Sequence, residues 1–532
     1  MGMTTGMHTP GETPQPGSGA EVRHYAIELL DDAVGRWPGR EALVGRGVRW
    51  SYADLASSVR SVAATLGSLV APGEDVAVLS GNRPEYVAVQ LAVHLLGCRL
   101  AAVSPAISDQ AMEQNLWSIR PAALVFDPLR HTARAERLNA VVQPRHLLSL
   151  GPCETGVDLL AGPENRLEAA RAWAGADAVK TVFLTSGTTG YPKPVVHGHG
   201  LYALISSLVG EGGLVEAGER RLVCTPLTFI GSHFFLPTLM SGGTLVLHEG
   251  FDAGEVLETI AAERINVILL PTVMLDQLAD HPGLGEADLS TLRRIQYGAS
   301  RPSPRRVRVA LERFGPILQQ VYGMTEAGPV SLLQPADHDP ADPHRLGSAG
   351  YPVPGVRVKI RHDSGREALP GETGEVLVHS GGVMEGYLDR TVTPAVREGW
   401  LHTGDLGHVD ADGRLFVVER LKDVILHAGT GLRVWSREVE EVLLGHPAVH
   451  AAAVIGIPAE ANGEWVHAVV VAAPGAVIDA HALRAHALAV LGQELMVPAH
   501  FHVVDALPLT AMGKIDKAAL RQRYTPARTT TV

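Results

Sequence analysis

Residues 181–200 read TVFLTSGTTGYPKPVVHGHG, in which Thr185, Ser186, Gly187, Thr188, Thr189 and Gly190 precede Lys193. Four apolar or β-branched residues lead into the run, so a strand should deliver it. Small hydroxyl side chains and glycines let backbone N–H and side-chain O–H groups converge on phosphate oxygens, because glycine permits the close approach. Lys193 adds a compact point charge. A Walker A loop has Gly and Lys adjacent before Ser or Thr. Here Tyr191 and Pro192 intervene, which disfavours a P-loop NTPase. Far along the chain a second cation, Lys514, follows Gly513 in the stretch Leu507-Pro508-Leu509-Thr510-Ala511-Met512-Gly513-Lys514-Ile515. By itself a Gly-Lys pair in such a tail is ordinarily a solvated surface feature.

The 185–193 segment closely resembles the core motif of the acyl- and aryl-adenylate-forming superfamily of acid–CoA ligases, carrier-loading adenylation domains and luciferases. The resemblance continues in order through Val321-Tyr322-Gly323-Met324-Thr325-Glu326, the Gly-Trp-Leu-His-Thr-Gly-Asp run at 399–405, Glu419-Arg420-Leu421-Lys422-Asp423 and the 509–515 loop, covering residues 22–523. It implies a reaction in which a carboxylate attacks the α-phosphorus of ATP and pyrophosphate leaves. Residues 185–190 and Lys193 would then hold the β- and γ-phosphates, Thr325 would contact the α-phosphate, and Glu326 would hold Mg²⁺, a hard cation suited to a carboxylate. Tyr322, with Gly323 behind it, would offer a flat face to adenine, and Gly298, Ala299 and Ser300 would line the adenine and the reacting carboxylate. Asp405 would accept hydrogen bonds from both ribose hydroxyls, as an ionised carboxylate can, with Arg420 in support. Lys514 would bridge the substrate carboxylate and the α-phosphate. Lys422 stands at the family's hinge, about which the small domain swings between two half-reactions.

The run Pro226-Leu227-Thr228-Phe229-Ile230-Gly231-Ser232 carries Ile230 where α-amino-acid-activating relatives have Asp. A buried ammonium would lack its counter-ion there, so an α-amino acid substrate is disfavoured. Phe229, Ile230, His233 and Met324 suggest a pocket for an acyl or aryl acid. The acceptor face departs from the pattern: Leu426 replaces a frequent Lys, Ser436 a usual Pro, and Met496-Val497-Pro498 lacks a frequent Lys. Pro194 replaces a usual Gly and removes one backbone donor beside the phosphates. The expected activity is an AMP-forming acid–CoA ligase using ATP, Mg²⁺ and CoA. The alternatives are a stand-alone adenylating enzyme that loads a separate carrier protein or an amine, or one that activates another oxyacid. A nucleotide-binding sensor without catalysis would have lost Lys514 or Glu326, and both are present.

The elements that must position these residues are legible as an α/β pattern. Helix-period stretches such as 52–69 alternate with β-branched runs at Asp75–Leu79, Ala123–Phe126 and 267–270, which predicts mainly parallel, buried strands. The tract 294–296 reads as a strand ending in a YGAS turn. After Gly371 short strands and turns take over, with a hairpin turn at Asp410-Ala411-Asp412-Gly413. From Leu421 onward the pattern is that of a small α+β domain of roughly a hundred residues. It has Ser436 as a helix N-cap before acidic residues, strands at 451–457 and 466–473, a helix at 479–491 and a strand at 501–504. The expected organisation is a tail at 1–21, a large α/β domain of subdomains at 22–420, a small mobile α+β domain at 421–524 and a tail at 525–532.

Composition narrows the class. A chain of 532 residues exceeds one compact core, so at least two domains are expected. With 45 Lys and Arg against 57 Asp and Glu, the net charge of −12 excludes the basic stripe of a nucleic-acid binder. Cys98, Cys153 and Cys224 are odd in number and widely spaced, which disfavours a disulfide framework or zinc site and suits a reducing cytoplasm. Gln90, His94 and Arg99 interrupt the most apolar stretch, so no membrane span is expected. Neither a signal pattern nor a myristoylation motif opens the chain.

Overall fold

The computed structural model describes residues 25–161, 174–184, 193–210, 213–228, 232–389, 391–393, 395–459, 462–510 and 514–525. The tails expected at 1–21 and 525–532 lie outside the described residues except for Thr525, as do Thr185–Gly190, Phe229, Ile230 and the side chain of His233.

Among the described residues the large domain holds two open sheets and a third, antiparallel one. In the first sheet Asp75–Leu79 lies between Arg99–Val103 and Ala123–Phe126, all parallel. Lys180–Leu184 adds parallel to Arg99–Val103, and Pro194–Gly198 turns back antiparallel onto Lys180–Leu184. Ala123–Phe126 is buried at every position, as a strand covered on both faces must be. The second sheet runs from Gly328–Leu333 through Leu318–Met324, Arg294–Gly298, Val267–Pro271 and Arg220–Val223 to Thr244–Leu247 and Glu41–Gly45. The third sheet includes Arg357–Arg361, Gly374–His379, Trp400–Val409 and Leu415–Arg420.

Local chemistry accounts for the elements that carry this core. The helix Tyr52–Gly67 opens on a capping box: the Asp54 amide donates to Ser51 Oγ at 3.1 Å and the Ser51 amide donates to Asp54 Oδ2 at 2.8 Å. The helix buries Tyr52, Leu55, Val59, Val62 and Leu66, and the Tyr52 hydroxyl donates to the carbonyls of Leu239 and Gly243. The helix Pro84–Leu95 is apolar nearly all round and is buried along its length, which explains the hydropathy of that stretch without a membrane. No helix among the described residues is long and apolar enough to cross a bilayer. His94 on that helix reaches Thr181 Oγ1 at 2.9 Å, and Thr181 pairs with the Tyr202 hydroxyl at 2.7 Å. Buried polar contacts thus fix the strand Lys180–Leu184 that leads into residues 185–192.

The third sheet ends at Arg420, and the 3-10 turn Leu421–Asp423 leads into the short ribbon Ile425–Leu426 with Arg433–Val434. Beyond it, Val449–Pro458, Glu464–Ala472 and His500–Val503 form a sheet packed on Ser436–Leu444 and Ala480–Leu491. The expected elements are present, with one correction. Ser436 is the first helical residue and does not cap the helix; Trp435 holds the cap position without a side-chain bond. The Ser436 hydroxyl instead donates to Glu419 Oε2 at 2.7 Å. A small domain docked on a large one offers that hydroxyl a buried carboxylate, which outcompetes a local amide.

Candidate functional site

Two antiparallel hairpins and one strand end converge on a single place. In the first hairpin, Trp400–Val409 pairs with Leu415–Arg420, turning through Asp410–Gly413 with Gly413 at a φ of +84°. Its register sets Asp405 directly opposite Arg420. The Arg420 guanidinium forms an ion pair with Asp405, Nε to Oδ1 at 2.6 Å, and the Tyr322 hydroxyl donates to Asp405 Oδ2 at 2.7 Å. Asp405 is only 2% exposed, so its charge needs both partners. Burial, and then the Asp405 carboxylate, hold the Tyr322 phenol far above its ordinary range, so it remains a donor.

The second hairpin joins Leu318–Met324 to Gly328–Leu333, with Met324 opposite Gly328 and Thr325 and Glu326 at the tip. Three donors fix that tip. Nε2 of His197 donates to the Thr325 carbonyl, the Met384 amide donates to the Glu326 carbonyl at 2.8 Å, and the Tyr387 hydroxyl donates to Glu326 Oε1 at 3.2 Å. Burial pushes the His197 imidazole down to about 4, so the ring is neutral and its Nε2 carries the proton given to Thr325. Gly386–Tyr387 pairs with Val195 and Val196, which brings the strand Pro194–Gly198 beside the Glu326 turn. There the Lys193 ammonium lies over the Tyr387 ring, 5.3 Å from its centroid.

The strand Arg294–Gly298 runs parallel to Leu318–Met324, with Gly298 opposite Val321. A Cβ on Gly298 would stand 2.2 Å from the Val321 carbonyl oxygen, so the approach requires glycine. Ala299 follows with φ at +66°, a strained conformation for a residue with a side chain. The Thr272 hydroxyl, bonded to the carbonyls of Gly298 and Ser300, holds this turn.

Lys514 arrives from the small domain. Its carbonyl accepts from the Thr510 amide at 2.7 Å and its own amide donates to Thr510 Oγ1 at 3.2 Å, closing the loop that presents it. The ammonium feels Arg420 and Arg437 as like charges, and Asp405 and Glu326 as opposite ones. Burial and then Arg420 bring it down to about 8. One cluster therefore contains a guanidinium and a desolvated ammonium, the cations that can neutralise phosphate charge, alongside two carboxylates. Glu326 fits Mg²⁺ as a hard carboxylate donor oriented by the Tyr387 hydroxyl, and among the described residues no group of three or more His, Cys, Asp or Glu could form an all-protein cage. Mg²⁺ typically takes one or two carboxylates and completes its shell with phosphate and water.

Of the residues singled out from sequence, Gly298, Ala299, Ser300, Tyr322, Gly323, Met324, Thr325, Glu326, Asp405, Arg420 and Lys514 come together, with Lys193 on the Tyr387 side. Lys422 is exposed on the 3-10 turn that follows Arg420, where it feels the charges of Arg420 and Asp405. Met324 is half-buried at its hairpin; the other three acid-pocket positions, Phe229, Ile230 and the His233 side chain, fall outside the described residues. Sequence reasoning missed His197, Tyr387 and Glu419. The His197-Gly198-His199-Gly200 run was a signal for the first, whereas only strand pairing reveals the second.

Residues 30–388 match the AMP-binding enzyme family, and residues 438–514 match the AMP-binding enzyme C-terminal domain. The chain is 35% identical to a medium/long-chain-fatty-acid–CoA ligase of Mycobacterium tuberculosis, over 93% of this chain and 89% of that one. Its fold superposes on the amide bond synthetase McbA of Marinactinospora thermotolerans with a TM-score of 0.86 and 37% identity, covering 94% and 99% of the two chains. It also superposes on the o-succinylbenzoate coenzyme A synthetase of Bacillus subtilis in complex with ATP and magnesium ion, with a TM-score of 0.78, 29% identity and coverage of 93% and 99%. The site geometry and these matches agree: the chain belongs to the AMP-binding enzyme superfamily, as an adenylate-forming ligase that activates acids.

Proposed function

We propose that the enzyme converts a carboxylic acid other than an α-amino acid to its acyl-AMP and then transfers the acyl group to CoA as a thioester. In the first step a carboxylate oxygen bonds to the α-phosphorus of ATP and the bond to the β-phosphate bridge breaks, releasing pyrophosphate. In the second, the thiol sulfur attacks the acyl carbon, loses its proton, and AMP leaves. The observation that carries this reading is the Lys514 ammonium brought against Asp405, Arg420 and Glu326 in a partly desolvated site. Lys514 stabilises the charge that builds as the two anions meet. Asp405 and Arg420 hold the ribose, with Tyr322 against the adenine. Thr325 and residues 185–190 with Lys193 bind the phosphates. Glu326 would hold Mg²⁺, which when bound neutralises phosphate charge. Gly298–Ser300 line the reacting carboxylate, and Phe229, Ile230, His233 and Met324 form the acid pocket, with no acidic side chain at Ile230 to pair an ammonium. The small domain, 421–524, turns about Lys422 between the two steps. Action in the cytoplasm fits the use of ATP and the three free cysteines.

A second reading, transfer to an amine, is supported by the acceptor face. Leu426 is 49% exposed where a cation is frequent in relatives, and Trp465 nearby is 45% exposed, so this face offers apolar surface where CoA phosphates would want positive charge. The likeness to an amide bond synthetase points the same way. Pyrophosphate release measured over a panel of carboxylic acids, with CoA, with amines and with neither, separates the readings. Acyl-CoA formation is the expected result. Amide without any thioester would replace the first reading by the second, and no acid-dependent pyrophosphate release would defeat both.

A further inference from the structure

We infer that Tyr387 is a positioning residue of the adenylation site, holding the Glu326 carboxylate through its hydroxyl and the Lys193 ammonium through its ring face. The inference rests on the adenylation reading above and concerns a side chain to which that reading gives no role. Tyr387 belongs to the short strand Gly386–Tyr387, paired antiparallel with Val195 and Val196 just beyond Lys193. The pairing is extended on both sides: the Glu385 amide donates to the Val196 carbonyl and the Leu388 amide to the Pro194 carbonyl, each close to 3 Å, at 2.8 and 2.9 Å. The segment also reaches the Glu326 turn through the Met384 amide. Its backbone is thus tied to both motifs, and Tyr387 is the side chain that touches a charged group in each.

The two contacts are chemically separable. The hydroxyl donates to Glu326 Oε1 at 3.2 Å. A donor on Oε1 restricts rotation of the carboxylate and directs its remaining lone pairs toward a cation. The ring, with Lys193 Nζ 5.3 Å from its centroid, restrains the ammonium by a cation–π contact that needs no hydroxyl. One residue therefore sets where the carboxylate and the ammonium stand relative to each other, before ATP enters between them.

Tyr387→Phe removes the hydroxyl and keeps the ring, whereas Tyr387→Leu removes both. ATP binding by isothermal titration, across a Mg²⁺ series and in EDTA, reads the two contacts independently of turnover, and Mn²⁺ electron paramagnetic resonance with ATP reads the metal directly. Loss of a hydrogen bond to a charged group predicts that Tyr387→Phe raises the Mg²⁺ needed for half-maximal ATP binding about tenfold. ATP binding in EDTA should stay within about twofold of the parent for Tyr387→Phe and weaken a further three- to fivefold, roughly, for Tyr387→Leu. Far-ultraviolet circular dichroism establishes folding, and the near-isosteric Phe variant keeps the test decisive if the Leu variant does not fold. An unchanged Mg²⁺ requirement in Tyr387→Phe overturns the inference. A parent enzyme that binds ATP with Mg²⁺ while both variants match it defeats the Tyr387 role alone. A parent that binds no ATP defeats the adenylation reading as well.

Discussion

In the proposed adenylation Lys514 is the residue on which the chemistry turns, and its environment gives it a pH signature. An ordinary lysine keeps its proton to about pH 10.4. Here burial, then Arg420, bring the ammonium down to about 8 in the ligand-free site. Because the protonated form carries the stabilising charge, adenylation is complete on the acid side and lost as pH rises through 8. The expected outcome is an alkaline limb near pH 8 in kcat/KM for acid-dependent pyrophosphate release, since that parameter reports the free enzyme. Lys514→Ala should lower the rate by about 10²–10³-fold, as for loss of one electrostatic contact to a transition state, and abolish the limb. A limb that survives in the variant belongs to another group. Asp405 and Arg420 were legible because the short motifs that carry them resemble those of a known family. Tyr387 and His197 were not, since their importance lies in which carbonyl or carboxylate they meet.

At the scale of elements, the site is a product of strand register. Gly298 opposite Val321 and Asp405 opposite Arg420 are neighbours because their strands pair in one register, and a one-residue slip would send each side chain to the other face. Glycine is the condition for the first of these contacts. Gly298→Ala places a methyl 2.2 Å from the Val321 carbonyl oxygen, with backbone on both sides unable to yield cheaply. The expected cost is about 1–3 kcal/mol of stability, read as a lowered thermal midpoint. ATP binding should weaken with it because the strain falls on the turn through Ala299 and Ser300. A variant with the parent midpoint and parent ATP affinity would show that the turn relaxes freely. The strands themselves were readable from β-branched runs, and the Asp410–Gly413 turn from its residues. The capping role expected of Ser436 was not realised, because propensity sees the helix end but not the carboxylate that approaches it.

Across the whole molecule, the delivery of Lys514 depends on how the small domain is held. Glu419, at the end of the third sheet, is 2% exposed. Its Oε2 accepts from Ser436 Oγ at 2.7 Å and from the Arg437 amide at 3.0 Å, both at the start of the helix Ser436–Leu444. The positive end of that helix suits a carboxylate. Around it, Arg437 Nη1 donates to the Arg301 carbonyl at 3.2 Å. These contacts favour the arrangement in which the lysine is in place. Glu419→Ala should therefore slow acid-dependent pyrophosphate release about tenfold, the worth of hydrogen bonds to a buried charge. Transfer from supplied acyl-AMP should change little, because the proposed rotation about Lys422 breaks the same contacts. Equal losses in both half-reactions would refute this division of labour.

The sequence by itself determined the alternation of helix and strand, and its motifs, through their resemblance to a known family, the adenylating chemistry. Those features are local: side-chain period, turn chemistry and short charged motifs leave their mark within a few residues. Tertiary structure alone decided that Tyr387 meets Glu326 across 61 positions and Lys193 across the pairing of two short strands. It also decided that His197 secures Thr325, and that Ser436 turns away from its helix toward Glu419. Such contacts are made by folding segments remote in the chain onto one another, and buried donors then take whichever acceptor the packing supplies.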